Sequence, residues 1–179
     1  MSKLKILIFF FIGIFAGIPT LPAQTASQPW HGITRQMRYQ PDSSDFVINN
    51  GKLRFNRALY GSNTAFRVEA GDLPEFALYL PGMGGNLRFG LMDSNGSKWL
   101  IESKNVTARY RPGSMIYTIT DPMLGSGNLQ ITALALADAE GLILQISAGE
   151  IPENIQLFCA FGGVTVKKFS RDGDLGADP

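Results

Sequence analysis

Apolar and polar positions along most of this chain alternate in short runs broken by turn residues. That is the pattern of half-buried strands, not of helices. Residues 45–48 lead into Asn49-Asn50-Gly51, and Lys52, Leu53, Arg54 and Phe55 then alternate basic with apolar. An Asn-Gly pair supplies the positive φ that tight turns need, so these segments read as a hairpin. Residues 65–70 and 76–80 flank the turn Gly71-Asp72-Leu73-Pro74, and residues 87–92 and 98–102 flank 93–97. Residues 106–111 and 115–120 flank Pro112-Gly113-Ser114, residues 129–137 and 142–147 flank 138–141, and 155–161 closes the series. Turn signals thus recur every ~8–12 residues, which predicts an all-β fold, an antiparallel β-sandwich of about ten strands.

One stretch is ambiguous. Residues 129–139 carry four alanines, a composition suited to a helix, but Leu129 and Ile131 alternate with Gln130 and Thr132 and favour a strand. No repeat of ~20–50 residues is present, which argues against solenoids and propellers.

The N-terminus breaks the alternation. Lys3 and Lys5 precede residues 6–18, which run without a charge, and Leu21-Pro22-Ala23 offers a cleavage site. This three-part layout predicts a secretory signal peptide over residues 1–23. The apolar run falls short of the ~20 residues that span a bilayer, which disfavours a retained anchor. Residues 24–29 read as a flexible leader, 30–168 as the sandwich, and 169–179 as a polar tail or the start of a following segment. The expected location is outside the cytoplasm: periplasmic, cell-surface or extracellular.

Composition narrows the function. A chain of 179 residues with 45% hydrophobic and 17% charged content can bury a single core. Without residues 1–23 it holds 14 basic against 15 acidic residues, which gives no electrostatic footprint for nucleic acid or an anionic membrane. Cys159 is the sole cysteine, so no internal disulfide forms, and its apolar surroundings read as those of a buried small hydrophobe.

Candidate chemistry is sparse. His31 is the sole histidine, so the usual zinc sites cannot be assembled, and no metal or cofactor is expected. Gly82-Met83-Gly84-Gly85-Asn86 is Gly-rich but lacks the Lys-Ser/Thr of a phosphate loop. Glu69, Asp72 and Glu75 cluster around a turn and are the acids available for a carboxylate pair, although turn acids are commonly solvated or capping. Asp172 and Asp174 lack the ligand series of a calcium loop. Trp30, Trp99, Tyr60, Tyr79, Tyr110 and Tyr117 could stack on sugar rings, or simply pack in and around the sheets.

Several segments follow in an ordered set: Trp30-His31-Gly32, residues 45–51, Arg54 to Gly61, Asn63 to Glu69, Gly71 to Phe76, and Pro81 to Asn86. Together they resemble a family of secreted bacterial proteins, domain of unknown function 4450, over about residues 30–179 and most densely over 54–86. The resemblance implies the N-terminal β-sandwich of a longer exported protein, similar to glycoside hydrolases in which a helical toroid follows the sandwich. It implies a role in polysaccharide breakdown and a chain cut at Pro179, and it carries over no catalytic residue. Within the dense block, Arg57, Tyr60, Asn63 and Arg67, with Asn86 of the Gly82–Asn86 loop, are candidate contacts to glycan or to the next domain. Arginine, aromatic and amide groups suit sugar hydroxyls or uronate carboxylates. Ordering of a long connection is the competing role. Three functions follow as expectations: a non-catalytic module packing on a following catalytic domain, a stand-alone carbohydrate-binding module, or a small carboxylate-based hydrolase.

Overall fold

The computed structural model describes residues 37–165. The expected signal peptide, leader, Trp30, His31 and polar tail lie outside the described residues. The described chain is an antiparallel β-sandwich, as the alternation predicts. Its strands are β1 (Gln40–Asp42), β2 (Asp45–Asn49), β3 (Arg57–Leu59), β4 (Arg67–Ala70), β5 (Glu75–Leu80) and β6 (Met83–Asp93). They continue as β7 (Gly96–Trp99), β8 (Asn105–Arg111), β9 (Ser114–Thr120), β10 (Asn128–Ala135), β11 (Leu142–Gly149) and β12 (Gln156–Thr165). One sheet has the order β1-β2-β8-β9-β10-β11, and the other β12-β6-β5-β4-β3, with β7 beside β6.

Side chains of alternate parity meet between the sheets. Val68, Ala70, Phe76, Phe89 and Leu91 face Val106, Ala108, Met115, Tyr117, Ile119, Leu129, Ile131 and Ala133 in one core. Phe76 bridges the layers, meeting Tyr117 edge-on at 5.7 Å and its own sheet's Phe89 at 6.4 Å. Such aromatic pairs add roughly 0.5–1.5 kcal/mol beyond the area they bury. The Tyr117 hydroxyl donates to the Gly71 carbonyl at 2.9 Å, tying the first sheet to the β4–β5 turn. Residues 129–135 form a strand, as their initial alternation indicates, with Ile131 and Ala133 in the core.

Four expectations fail. Residues 52–55 are not a strand, and β2 pairs instead with β1 and β8. The cause is Asp72: its carboxylate accepts from the Leu53 amide at 3.0 Å, and its own amide donates to the Leu53 carbonyl at 2.9 Å. Those bonds replace a ladder, and Phe55 at φ 52° turns the chain away. Residues 98–102 end as a 3₁₀ turn at Leu100–Glu102, because Leu100 dives into the core. Gly84, Gly85 and Asn86 lie within β6, the tight turn before it resting on Gly82 at φ 80°. Cys159 is exposed, not buried. It stands opposite Phe89, on the inward face of β12, but that face extends past the cover of the opposite sheet.

The uncovered flank is specific. β11 ends one sheet and β12 the other, and residues 150–155 join them, with Ile151 and Ile155 packed on the core. Ile146 and Ala148 of β11 share the inward face with Ile131 and Leu129 of β10, yet both are exposed. Leu157, Cys159 and Phe161 of β12 share it with Leu91, Phe89 and Leu87 and are exposed as well. Inward-facing apolar side chains therefore meet solvent along one side of the sandwich.

Candidate functional site

The five candidate residues separate. Arg57, at the start of β3, stands opposite core residue Ala70. Its guanidinium lies 4.7 Å from the Tyr39 ring centre and 5.8 Å from that of Tyr110. Those cation–π contacts close the end of the sandwich, a structural placement. Asn63 is exposed in the β3–β4 loop. Arg67 and Asn86 share the outer face of the second sheet, and exposed Tyr60 lies near enough to Arg67 to interact with it electrostatically. The geometry thus keeps Arg67, Asn86 and Tyr60 on one side and sets Arg57 apart.

That outer face can be built strand by strand from the registers. Arg67 of β4 stands opposite Tyr79 of β5, Tyr79 opposite Gly84 of β6, and Gly84 opposite Val164 of β12. The next row runs Glu69, Ala77, Asn86 and Gly162, and the one after joins Glu75, Arg88 and Ala160. Trp99 of β7, Gly90 and Phe158 finish the face. Small residues floor its middle, while arginines and aromatic rings stand at its margins.

The electrostatics are tightly paired. Arg67 lies flat on Tyr79, 3.9 Å from the ring centre, and is held by an ion pair with Glu69. Glu75 is 1% exposed and gathers three donors. Asn86 donates to its Oε1 at 2.8 Å, Arg88 at 2.5 Å, and the Arg54 Nη2 straddles both oxygens at 2.6 and 2.5 Å. Burial pushes the Glu75 carboxyl up, but the hydrogen bonds from Arg54, Asn86 and Arg88 outweigh it and hold the group below its ordinary range. Arg88 keeps about a third of its side chain in solvent, at 35%. At the far margin Trp99 and Phe158 pack at 5.2 Å with their planes 57° apart.

Asp72 anchors a second network. It is fully buried at 0% exposure and accepts from Arg38, from the Tyr39 hydroxyl at 2.9 Å, from the Leu53 amide and from Asn56 at 3.4 Å. Burial, reinforced by the bond to Asp72, pushes the Tyr39 phenol well above its ordinary value. The reading of Asp72 and Glu75 as solvated turn acids is therefore corrected: each is the buried centre of a hydrogen-bonded cluster. The sequence pattern missed Arg54, Glu75, Arg88, Tyr79 and Phe158 as members of one group. Their parity along β5, β6 and β12 held the signal, but only the strand order brings them together.

Two apolar features complete the surface. A pocket of about 450 Å³ opens where β5 turns into β6, between Leu78, Leu80, Met83, Phe66, Phe161 and the β10–β11 turn residue Glu140. The second feature is the flank of β11 and β12. Among the described residues no group of three or more His, Cys, Asp or Glu side chains is placed to hold a metal ion.

No curated protein and no solved structure matches the chain. A family profile described as domain of unknown function (DUF4450) matches residues 80–179, spanning β6 to β12 and the residues beyond. The dense sequence block 54–86 overlaps this match only at residues 80–86. With more than half of its length matched, the chain belongs to the DUF4450 family.

Proposed function

We propose that this domain is a non-catalytic β-sandwich module of an exported polysaccharide-degrading protein, which packs against a following catalytic domain and helps to shape its site. The observation that carries the packing role is the uncovered flank, where Leu157 is 39% and Ile146 36% exposed on faces that should point to a core. Inward-facing residues of edge strands reach solvent when the surface that covers them is elsewhere. The polysaccharide context rests on the family resemblance of residues 54–86 and on the signal-peptide layout of residues 1–23.

The carboxylates favour a non-catalytic role. Glycoside hydrolysis needs one carboxylic acid kept protonated near neutral pH beside a second, ionised one. Glu75 is pushed the other way, and Asp72 has its oxygens engaged by Arg38, Tyr39, Leu53 and Asn56.

A second reading, direct carbohydrate binding, draws support from the outer face of the second sheet. A shallow floor of Gly84, Ala160 and Gly162 between Arg67–Tyr79 and the Trp99–Phe158 pair would admit a sugar ring. Arg88 and Asn86 stand within it as hydrogen-bonding groups.

Affinity electrophoresis and reducing-sugar release with the full chain on a panel of neutral and uronic-acid polysaccharides test these readings. The module reading expects neither retardation nor release. Retardation abolished by Trp99→Ala or Arg88→Ala would establish the second reading, and release abolished by Glu75→Gln would overturn both.

A further inference from the structure

The pocket at the β5–β6 turn is a separate feature from both the flank and the polar outer face. At about 450 Å³ it has the size of a small-molecule site, for which ~300–1,000 Å³ is usual. Its character is graded with depth. Phe66 and Tyr79 line the inner part, each only 4% exposed, beside buried Gly85. A β-carbon on Gly85 would overlap the Phe161 ring, so the bare backbone lets that ring close in on the strand. Met83 and Phe161 form the rim, at 45% and 61% exposure.

The charge at the rim has one sign. Exposed Glu140 is the sole charged residue of the lining, and exposed Asp138 precedes it in the same β10–β11 turn. Neither acid takes part in a salt bridge among the described residues. Arg67 lies on Tyr79 outside the lining, but its charge is already matched by Glu69. An apolar interior with aromatic walls therefore opens past an unmatched carboxylate. An anionic ligand would be repelled there, and a neutral one would leave the carboxylate without a partner. A hydrophobic cation meets both parts, because ammonium groups are attracted by carboxylates and by aromatic ring faces.

We propose that this pocket binds a small hydrophobic ammonium ligand, its apolar end against Phe66 and Tyr79 and its charge at the rim beside Glu140. Glu140 sets the preference for a cation, and the aromatic and aliphatic walls supply the affinity. This goes beyond the module reading, since it concerns a different surface and holds whatever covers the β11–β12 flank.

Methionine-methyl NMR on the full chain tests it, with three probes that share a phenethyl group: phenethylammonium, neutral phenethyl alcohol and anionic 3-phenylpropionate. Phenethylammonium should shift the Met83 methyl resonance in a saturable way and leave the core Met115 resonance in place as a check on folding. Exposed ion pairs are weak, so the cation should bind about three- to fivefold more tightly than the alcohol, and the anion most weakly. Glu140→Gln should bring the cation and the alcohol to equal affinity. Phe161→Ala, at an exposed position that spares the fold, should weaken all three. A Met83 resonance that ignores every probe overturns the proposal. So does equal affinity for the three in the native chain, a cation preference that survives Glu140→Gln, or binding untouched by Phe161→Ala.

Discussion

The ring of Phe158 lies over Gly90 on the neighbouring strand, so close that a β-carbon on Gly90 would overlap its Cζ. The same strand pair repeats the arrangement on its other face, where the ring of Phe161 covers Gly85. Glycine is required at both positions for the space it leaves rather than for its φ. The two sites differ in freedom: Phe158 is braced by Trp99, whereas Phe161 is 61% exposed.

Gly90→Ala should therefore cost about 1–3 kcal/mol of stability as an overpacking change. Adding Phe158→Ala should recover part of it. The Lys98 carbonyl oxygen, 2.8 Å from the added carbon, keeps the recovery incomplete. Gly85→Ala should cost less, because the Phe161 ring can swing outward. Denaturant melts of the three variants give the comparison, and equal costs at Gly85 and Gly90 would contradict it.

Glu75→Gln should destabilise by about 2–3 kcal/mol, since Arg54 and Arg88 would keep their charge and lose their acceptor's. The pH dependence follows from the lowered carboxyl. A group held below its ordinary value of 4.5 contributes stability that is complete above that pH and is lost as pH falls through the folded value. The native protein should lose stability on acidification below about pH 4.5, and Glu75→Gln should flatten that limb. Thermal melts from pH 7 to 3 read the difference.

Asp72→Asn should cost about 3 kcal/mol, because the group that anchors Arg38, Tyr39, Leu53 and Asn56 is fully buried. Its effect should reach residues 52–55, whose amide protons should exchange faster in the variant. Unchanged exchange at Leu53 would mean that Asp72 does not hold that segment.

Cys159 should react completely with a maleimide in the folded chain without denaturant, because it stands exposed on the uncovered flank. Labelling should slow when a neighbouring domain is present in the same protein. A thiol that is slow in the isolated chain would refute the open flank directly.

The alternation along residues 106–120 and 128–135 was enough to read the fold class, because both faces of those strands obey the period of two and their turns carry Gly or Pro. It misled at residues 52–55, where alternation is present but Asp72, 19 positions away from Leu53, claims the backbone bonds. It misled again at Cys159, since an apolar run tells which residues could be buried and not whether an opposite sheet reaches them. The candidate cluster was only partly legible for a related reason. Arg57 and Arg67 sit in one block of sequence but on opposite faces of the sheet, and Glu75 joins Arg54 and Arg88 only through strand order. Parity along one strand is local, whereas the neighbour across a sheet is a property of topology.

Among the described residues, the eight of β11 and the ten of β12 have a strand neighbour on one side only. Their outer backbone groups form two ready templates for strand addition, flanked by apolar side chains. A chain produced without its cover should then self-associate edge to edge and lose solubility as its concentration rises. A charged residue placed in the middle of β12 should keep it in solution.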